Sequence, residues 1–224
     1  MFKKYSVFAG CIFLAILLAG CNHDKKYAEN IYFHLEKSAK QESTFAKIQK
    51  ELQQSSKKEQ KSYETVLAQN IEDEVEISST IQSAKKENQK QSELLQRAKK
   101  EFNSAYAILA SARTDVSSIK NSKQKEAAGK LMKLAKKRNL KLETYYQEYA
   151  LSIKINEQLY EDMLKNDFSA EKLDKQIKKL NQQYMNMNKE ATAFNKATKA
   201  YNLAKSSYYH LTDLHAEEMK QVHT

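Results

Sequence analysis

The residue with the plainest covalent chemistry is Cys21, which closes the run Leu18-Ala19-Gly20-Cys21 behind an apolar segment. Lys3 and Lys4 form a positive n-region, and Val7 to Leu18 form an apolar stretch too short to span a bilayer comfortably. Those are the features of a cleaved export signal rather than of a transmembrane helix. The small residues ending in cysteine resemble a lipobox, which implies a diacylglycerol joined to the Cys21 thiol and cleavage after Gly20. An ordinary signal peptide, or an uncleaved anchor with Cys21 as a bystander, is the alternative.

Other reactive constellations are missing from the sequence. None of the histidines at 23, 34, 210, 215 and 223 has a glutamate three residues before it, so the Glu-x-x-His signature of bundle metal sites is not present. No His-Glu-x-x-His motif occurs, and His210 and His215 are spaced poorly for one helical face. Cleavage after Gly20 leaves Gly129 as the single glycine, whereas phosphate-cradling loops need several. The remaining cysteine would carry lipid, which removes both a nucleophilic thiol and an intrachain disulfide. These observations point to a non-catalytic protein with no metal and no cofactor.

Charge offers a different chemistry. Without residues 1–20 the formal charge falls from +10 to +8. Eight basic residues lie between Lys123 and Lys141 against one acid, Glu126. An exported chain meets little nucleic acid, so the expected polyanions are lipid headgroups or teichoic acids of a Gram-positive wall. Lys130, Lys133, Lys136, Lys137, Arg138 and Lys141 are the candidate contacts with an anionic polymer. The competing account is that these lysines only keep a long helical surface soluble.

These residues must be positioned by helices. The chain contains no proline and is rich in Lys, Glu, Gln, Ala and Leu, which excludes most turn-dependent β architecture and favours helix. Two heptad stripes are clear. One runs Leu131, Ala135, Arg138, Leu142, Tyr145, Tyr149, Asn156, Tyr160 and Met163; the other runs from Leu173 and Ile177 through Leu180, Tyr184, Met187, Ala191, Phe194, Thr198 and Tyr201 to Lys205 and Tyr208. Between them Asn166-Asp167-Phe168-Ser169 supplies turn formers, with Ser169 as an N-cap and Glu171 in the first turn.

Earlier in the chain, Phe45, Leu52 and Val66 share a seven-residue series, while Ile81, Leu95, Phe102, Leu109 and Val116 lie on a series displaced by one position. That slip fits a helix break near residue 70, with Asn70 capping Ile71-Glu72-Asp73; a helix continuous through 70 is the competing view. Breaks near 70, 120 and 167 give segments of similar length, the second marked by Asn121, Ser122 and the later Gly129. The expectation is an all-α, elongated, up-and-down four-helix bundle of long, coiled-coil-like helices. Its parts would be a signal peptide (1–20), a lipidated tether (21–27), the bundle (28–215) and a C-terminal tail (216–224). In that arrangement the basic segment lies near the membrane and Glu72, Asp73, Glu74 and Glu76 at the far end.

Two repeated features have both a binding and a packing reading. Asn181, Asn188, Asn195 and Asn202 recur every seven residues beside the last stripe. They could offer amides to a sugar or peptide, but the favoured reading is hydrogen bonding across the core edge that fixes register. The tyrosines of the last two helices could form a sugar platform, yet most sit on the seam and are expected to pack. Tyr146 and Tyr209 lie off it and are the candidates for exposed contact.

Leu159-Tyr160, Leu164, Leu173, Gln176-Ile177, Asn181, Tyr184, Phe194-Asn195, Thr198, Asn202, Lys205 and Tyr208-Tyr209 resemble the YkyA family of cell-wall-binding lipoproteins. Arg138 and Tyr149 fit the same pattern, and Leu35-Glu36, Glu42, Phe45 and Glu101-Phe102 fit more loosely. The polar run Gln53 to Lys61 departs from it. The resemblance implies a helical lipoprotein anchored at the extracytoplasmic face of the cell membrane in Gram-positive bacteria, and carries no catalytic residues. The function expected is binding of an anionic envelope polymer; the alternative is a helical adaptor that holds a protein partner at the outer membrane face.

Overall fold

The computed structural model describes residues 5–68, 74–165 and 169–214, excepting the side chains of 5–22, 67, 68, 74 and 170. The helix-forming composition gives helices α1 (Tyr5–Ala68), α2 (Glu74–Ala110), α3 (Arg113–Ser118), α4 (Ser122–Leu164) and α5 (Ala170–Thr212), and no strand among the described residues. Four are long and pack as an all-α, up-and-down bundle, as expected. The caps are local and legible. Ser169 Oγ accepts from Lys172 N–H at 3.2 Å to open α5, and Asn121 Oδ1 accepts from Gln124 N–H at 3.1 Å to open α4. The cap expected at Asn70 lies outside the described residues, as do Glu72, Asp73, the turn at 166–168, His215 and the tail 216–224.

The chain divides into two compact units, each drawing on all four long helices: residues 1–40, 105–137 and 198–224 form one, and 41–104 with 138–197 the other. In the first, Ile31, Leu35, Leu109, Leu131, Tyr201 and Tyr208 make one buried apolar cluster. Ser38 Oγ donates to the Ala105 carbonyl at 2.8 Å across α1 and α2. Residues 23–27, expected as a tether, belong to α1, and Asp24 is buried. Its carboxylate accepts from the backbone N–H of Lys120 at 2.8 Å and of Asn121 at 2.7 Å.

In the second unit the contacts fix direction. Gln41 meets Glu101 and Ser55 meets Glu87, so α1 and α2 run antiparallel; Lys141 meets Glu190 and Gln183 meets Glu148, so α4 and α5 do the same. Glu42 meets Arg138 and Glu59 meets Asn156, which makes α1 and α4 parallel. Phe45, Leu52, Leu95, Phe102, Leu142 and Ile153 fill the apolar part of this core.

Two differences from the sequence reading concern breaks. Helix continuity fails at Ser111-Ala112 as well as near 120, producing the short α3; Ser111 Oγ donates to the Ile108 carbonyl at 2.6 Å, a side-chain bond of the kind that competes with the helical ladder. Gly129 marks no connection, because it lies inside α4. A Cβ built there meets nothing within 4 Å. Gly129→Ala is therefore expected to stabilise the protein by about 0.5–1 kcal/mol, read as a rise in melting temperature of about 1–4 °C on thermal unfolding.

Candidate functional site

The polar run Gln53 to Lys61 of α1 supplies the floor of a cavity. Glu59 completes the seven-residue series of Phe45, Leu52 and Val66 and is therefore carried into the core, where it is 4% exposed. Asn88 completes the series between Ile81 and Leu95 in the same way, and Asn156 occupies the α4 stripe. Three helices thus place polar residues at seam positions of one unit.

Among the described residues, the donors that meet Glu59 are all neutral. Its Oε1 accepts from Asn156 Nδ2 at 2.8 Å and from Tyr160 OH at 2.7 Å, while Oε2 accepts from Gln91 Nε2 at 2.6 Å. Tyr149 OH donates to Gln91 Oε1 at 2.8 Å, and Asn156 Nδ2 also donates to Tyr184 OH at 3.0 Å. Asn88 Nδ2 donates to the Ile153 carbonyl at 2.9 Å. Burial pushes the Glu59 carboxyl above the usual carboxylate range; its three hydrogen bonds pull the other way without overcoming this, and the nearby Glu87 charge adds to the rise. Burial likewise raises the Tyr184 hydroxyl to about 12 and raises Tyr149 and Tyr160, so these phenols remain donors.

The cavity beside this network has a volume of about 560 Å³. Tyr63, Tyr149, Tyr160 and Tyr184 wall it, with Glu59 and Asn156 at its base, and the exposed Gln60, Glu64, Asn181 and Asn188 stand at its rim. Among the described residues no lysine, arginine or histidine lines it. A seam tyrosine can thus serve both readings at once, since Tyr149 and Tyr160 are core residues that also face the cavity.

The residues singled out from the sequence are placed differently from one another. Lys130, Lys133, Lys136 and Lys137 are all exposed on α4. Lys141 Nζ pairs with Glu190 Oε2 at 3.3 Å. Arg138 is buried, which withdraws it from the set of polymer contacts. Its Nη1 and Nη2 donate to the two oxygens of Glu42 at 2.6 and 2.7 Å, and the guanidinium lies 4.7 Å from the Phe102 ring centroid and 5.7 Å from that of Phe194. A cation on a heptad seam is drawn inward with its partner, so its place in the stripe outweighed its membership of a basic run. The Cys21 side chain lies outside the described side chains.

Two further expectations are corrected. Tyr146 is 3% exposed and accepts a hydrogen bond from Gln49, because the α4 core face widens to take two adjacent tyrosines. Tyr209 is half-buried, packed at a tilt against Tyr32 with centroids 5.0 Å apart and donating to Glu36. All four asparagines of the α5 ladder are exposed, and none of their side chains bonds a neighbouring helix among the described residues. Half-turn neighbours do the joining instead: the Gln183 amide reaches the Glu148 carbonyl at 2.9 Å and its carboxylate at 2.7 Å.

Among the described residues no cluster of His, Cys, Asp or Glu could hold a metal ion, and no helix is long and apolar enough to cross a membrane. A family model matches residues 26–211 of the chain, and its description reads "YkyA: Putative cell-wall binding lipoprotein". The chain belongs to the YkyA family. It is 28% identical over 164 residues to a Bacillus subtilis (strain 168) protein named "Uncharacterized lipoprotein YkyA", an alignment covering 73% of each chain. No solved structure matches the chain.

Because the folded state holds the Glu59 proton more tightly than the unfolded chain does, the folded state binds more protons as pH rises above the usual carboxylate range. Stability associated with Glu59 is then complete in acid and is lost as pH climbs through its raised value. Glu87, Glu64 and the four cavity tyrosines are the titratable groups around it. Glu59→Gln imitates the protonated carboxyl, so unfolding curves measured from acid to neutral pH should show the stability difference moving steadily in the variant's favour as pH rises.

Proposed function

We propose that this chain is a non-catalytic wall-binding lipoprotein, tethered through lipid on Cys21 to the extracytoplasmic face of the membrane, that holds an anionic envelope polymer through the lysine face of α4. The observation that carries this reading is the Asp24 contact. Asp24 stands three residues after Cys21, and its carboxylate caps the start of α4 at the Lys120 and Asn121 amides. The basic segment therefore begins beside the anchor.

Distance then separates the roles of its lysines. At 1.5 Å rise per residue, Lys130 and Lys137 lie about 13 and 24 Å along α4 from Asn121. Attraction to anionic headgroups is about 1 kcal/mol per basic residue at the surface and fades over a Debye length of about 8–10 Å. Lys25, Lys26 and Lys123, all exposed, sit where headgroup attraction acts. Lys130, Lys133, Lys136 and Lys137 suit a polymer that rises away from the membrane, such as a teichoic acid, with Lys141 divided between that role and Glu190. The family's description agrees with this reading.

Replacing Cys21 by Ala should move the protein from the membrane fraction to the soluble fraction; retention in the membrane contradicts the anchor. Binding of the released full-length chain to purified teichoic acid should weaken by about tenfold or more between 50 and 300 mM salt, as phosphate binding through several lysines does. Changing Lys130, Lys133, Lys136 and Lys137 to Gln should flatten that dependence. Salt-independent binding, or none, overturns the polymer assignment.

A further inference from the structure

The Glu59 cavity has no part in the lysine-face reading, and its chemistry is opposite in sign. A buried carboxylate ordinarily pairs with a cation, because neutral hydrogen bonds alone leave its charge uncompensated. Here the three donors to Glu59 are Gln91, Asn156 and Tyr160, all neutral. A carboxylate offers about four acceptor positions, of which three are filled. Oε1 accepts two of these bonds and Oε2 one, so the spare acceptor position is on Oε2.

The walls supply the other half of a cation site. Tyrosine faces attract ammonium groups through the ring quadrupole, most strongly where water is excluded, and Tyr63, Tyr149, Tyr160 and Tyr184 line the cavity. With no basic side chain among the described residues of the lining, a phosphate or carboxylate ligand would meet Glu59 and Glu64 unscreened. The volume of about 560 Å³ falls among small-molecule sites. Asn181 and Asn188, which are exposed on α5, add amides at the rim that suit hydroxyl or amide groups on the ligand's body.

We propose that this cavity binds an organic ammonium group carried on a hydroxylated or amide-bearing body, with the cation at Glu59 and the body toward Asn181 and Asn188. An amino sugar has both parts. The proposal stands apart from the polymer assignment, since it uses none of the α4 lysines.

D-Glucosamine and N-acetyl-D-glucosamine separate the charge from the ring. The full-length protein in detergent micelles is titrated with each at about pH 7, where the glucosamine amine is largely protonated, and saturation is followed by calorimetry and saturation-transfer NMR. Glucosamine should bind saturably and about tenfold or more tighter than the acetylated sugar. Glu59→Gln should lose that preference while retaining the helical circular dichroism of wild type. Asn188→Ala, an exposed change that leaves the core intact, should weaken glucosamine several-fold and gives a second reading if Glu59→Gln unfolds. Failure of glucosamine to saturate, equal binding of the two sugars, or unchanged affinity in a folded Glu59→Gln protein overturns the proposal. Preference for the uncharged sugar would make this a neutral carbohydrate cleft instead, and also overturns it.

Discussion

One guanidinium touches all four long helices. Arg138 on α4 holds both oxygens of Glu42 on α1, and its flat face lies against Phe102 of α2 and Phe194 of α5. A seam made only of Leu, Ala and Tyr tolerates sliding by a heptad, because each step replaces one apolar contact with another. A bidentate pair enclosed by rings does not, since a shift would part the buried Arg138 from the half-buried Glu42. Lysine could not substitute, lacking both the fork and the planar face that stacks on an aromatic ring. Within this unit the pair therefore sets the register of every helix against the others.

That register is what assembles the Glu59 cavity. Glu59 follows Glu42 along α1 while Asn156 and Tyr160 follow Arg138 along α4, and the two helices run parallel there. A slip of one heptad would separate the carboxylate from three neutral donors on two other helices and bury it alone. Core volume devoted to Glu59, Gln91, Asn88 and Asn156 contributes less to stability than an aliphatic layer would, and gives in exchange a polar pocket of fixed geometry. The apolar clusters on either side of it in this unit, around Phe102 and around Ile81, supply the burial that tolerates such a layer.

Much of the fold was legible because helix composition and heptad spacing are local signals. Leu131, Ala135, Leu142, Tyr149, Asn156 and Tyr160 are all buried on the stripe read from spacing, and Ser169 caps α5 as its type and position suggest. The site was less legible because the same periodicity had to be followed through polar residues. Glu59 and Asn88 fall on their series, yet a carboxylate or amide at such a position carries no apolar signal and is passed over as surface. Arg138 gave two signals, a seam position and a basic run, and only the partner Glu42, 96 residues away in sequence, decides between them. The α5 asparagines show the converse error: regular spacing beside a seam does not bury a residue when that helix packs on a narrow face, as the half-exposed Ile177, Met187 and Phe194 do.

The claim that the Arg138 and Glu42 pair governs this register is tested most directly by a double-mutant cycle. Arg138→Gln, Glu42→Gln and the combined variant of the full-length chain are compared with wild type in denaturant unfolding. Each single change is expected to cost about 2–4 kcal/mol, and the double variant to cost far less than their sum, a coupling of about 2 kcal/mol. Additive losses within about 0.5 kcal/mol would show that the pair does not couple the helices and would contradict this account.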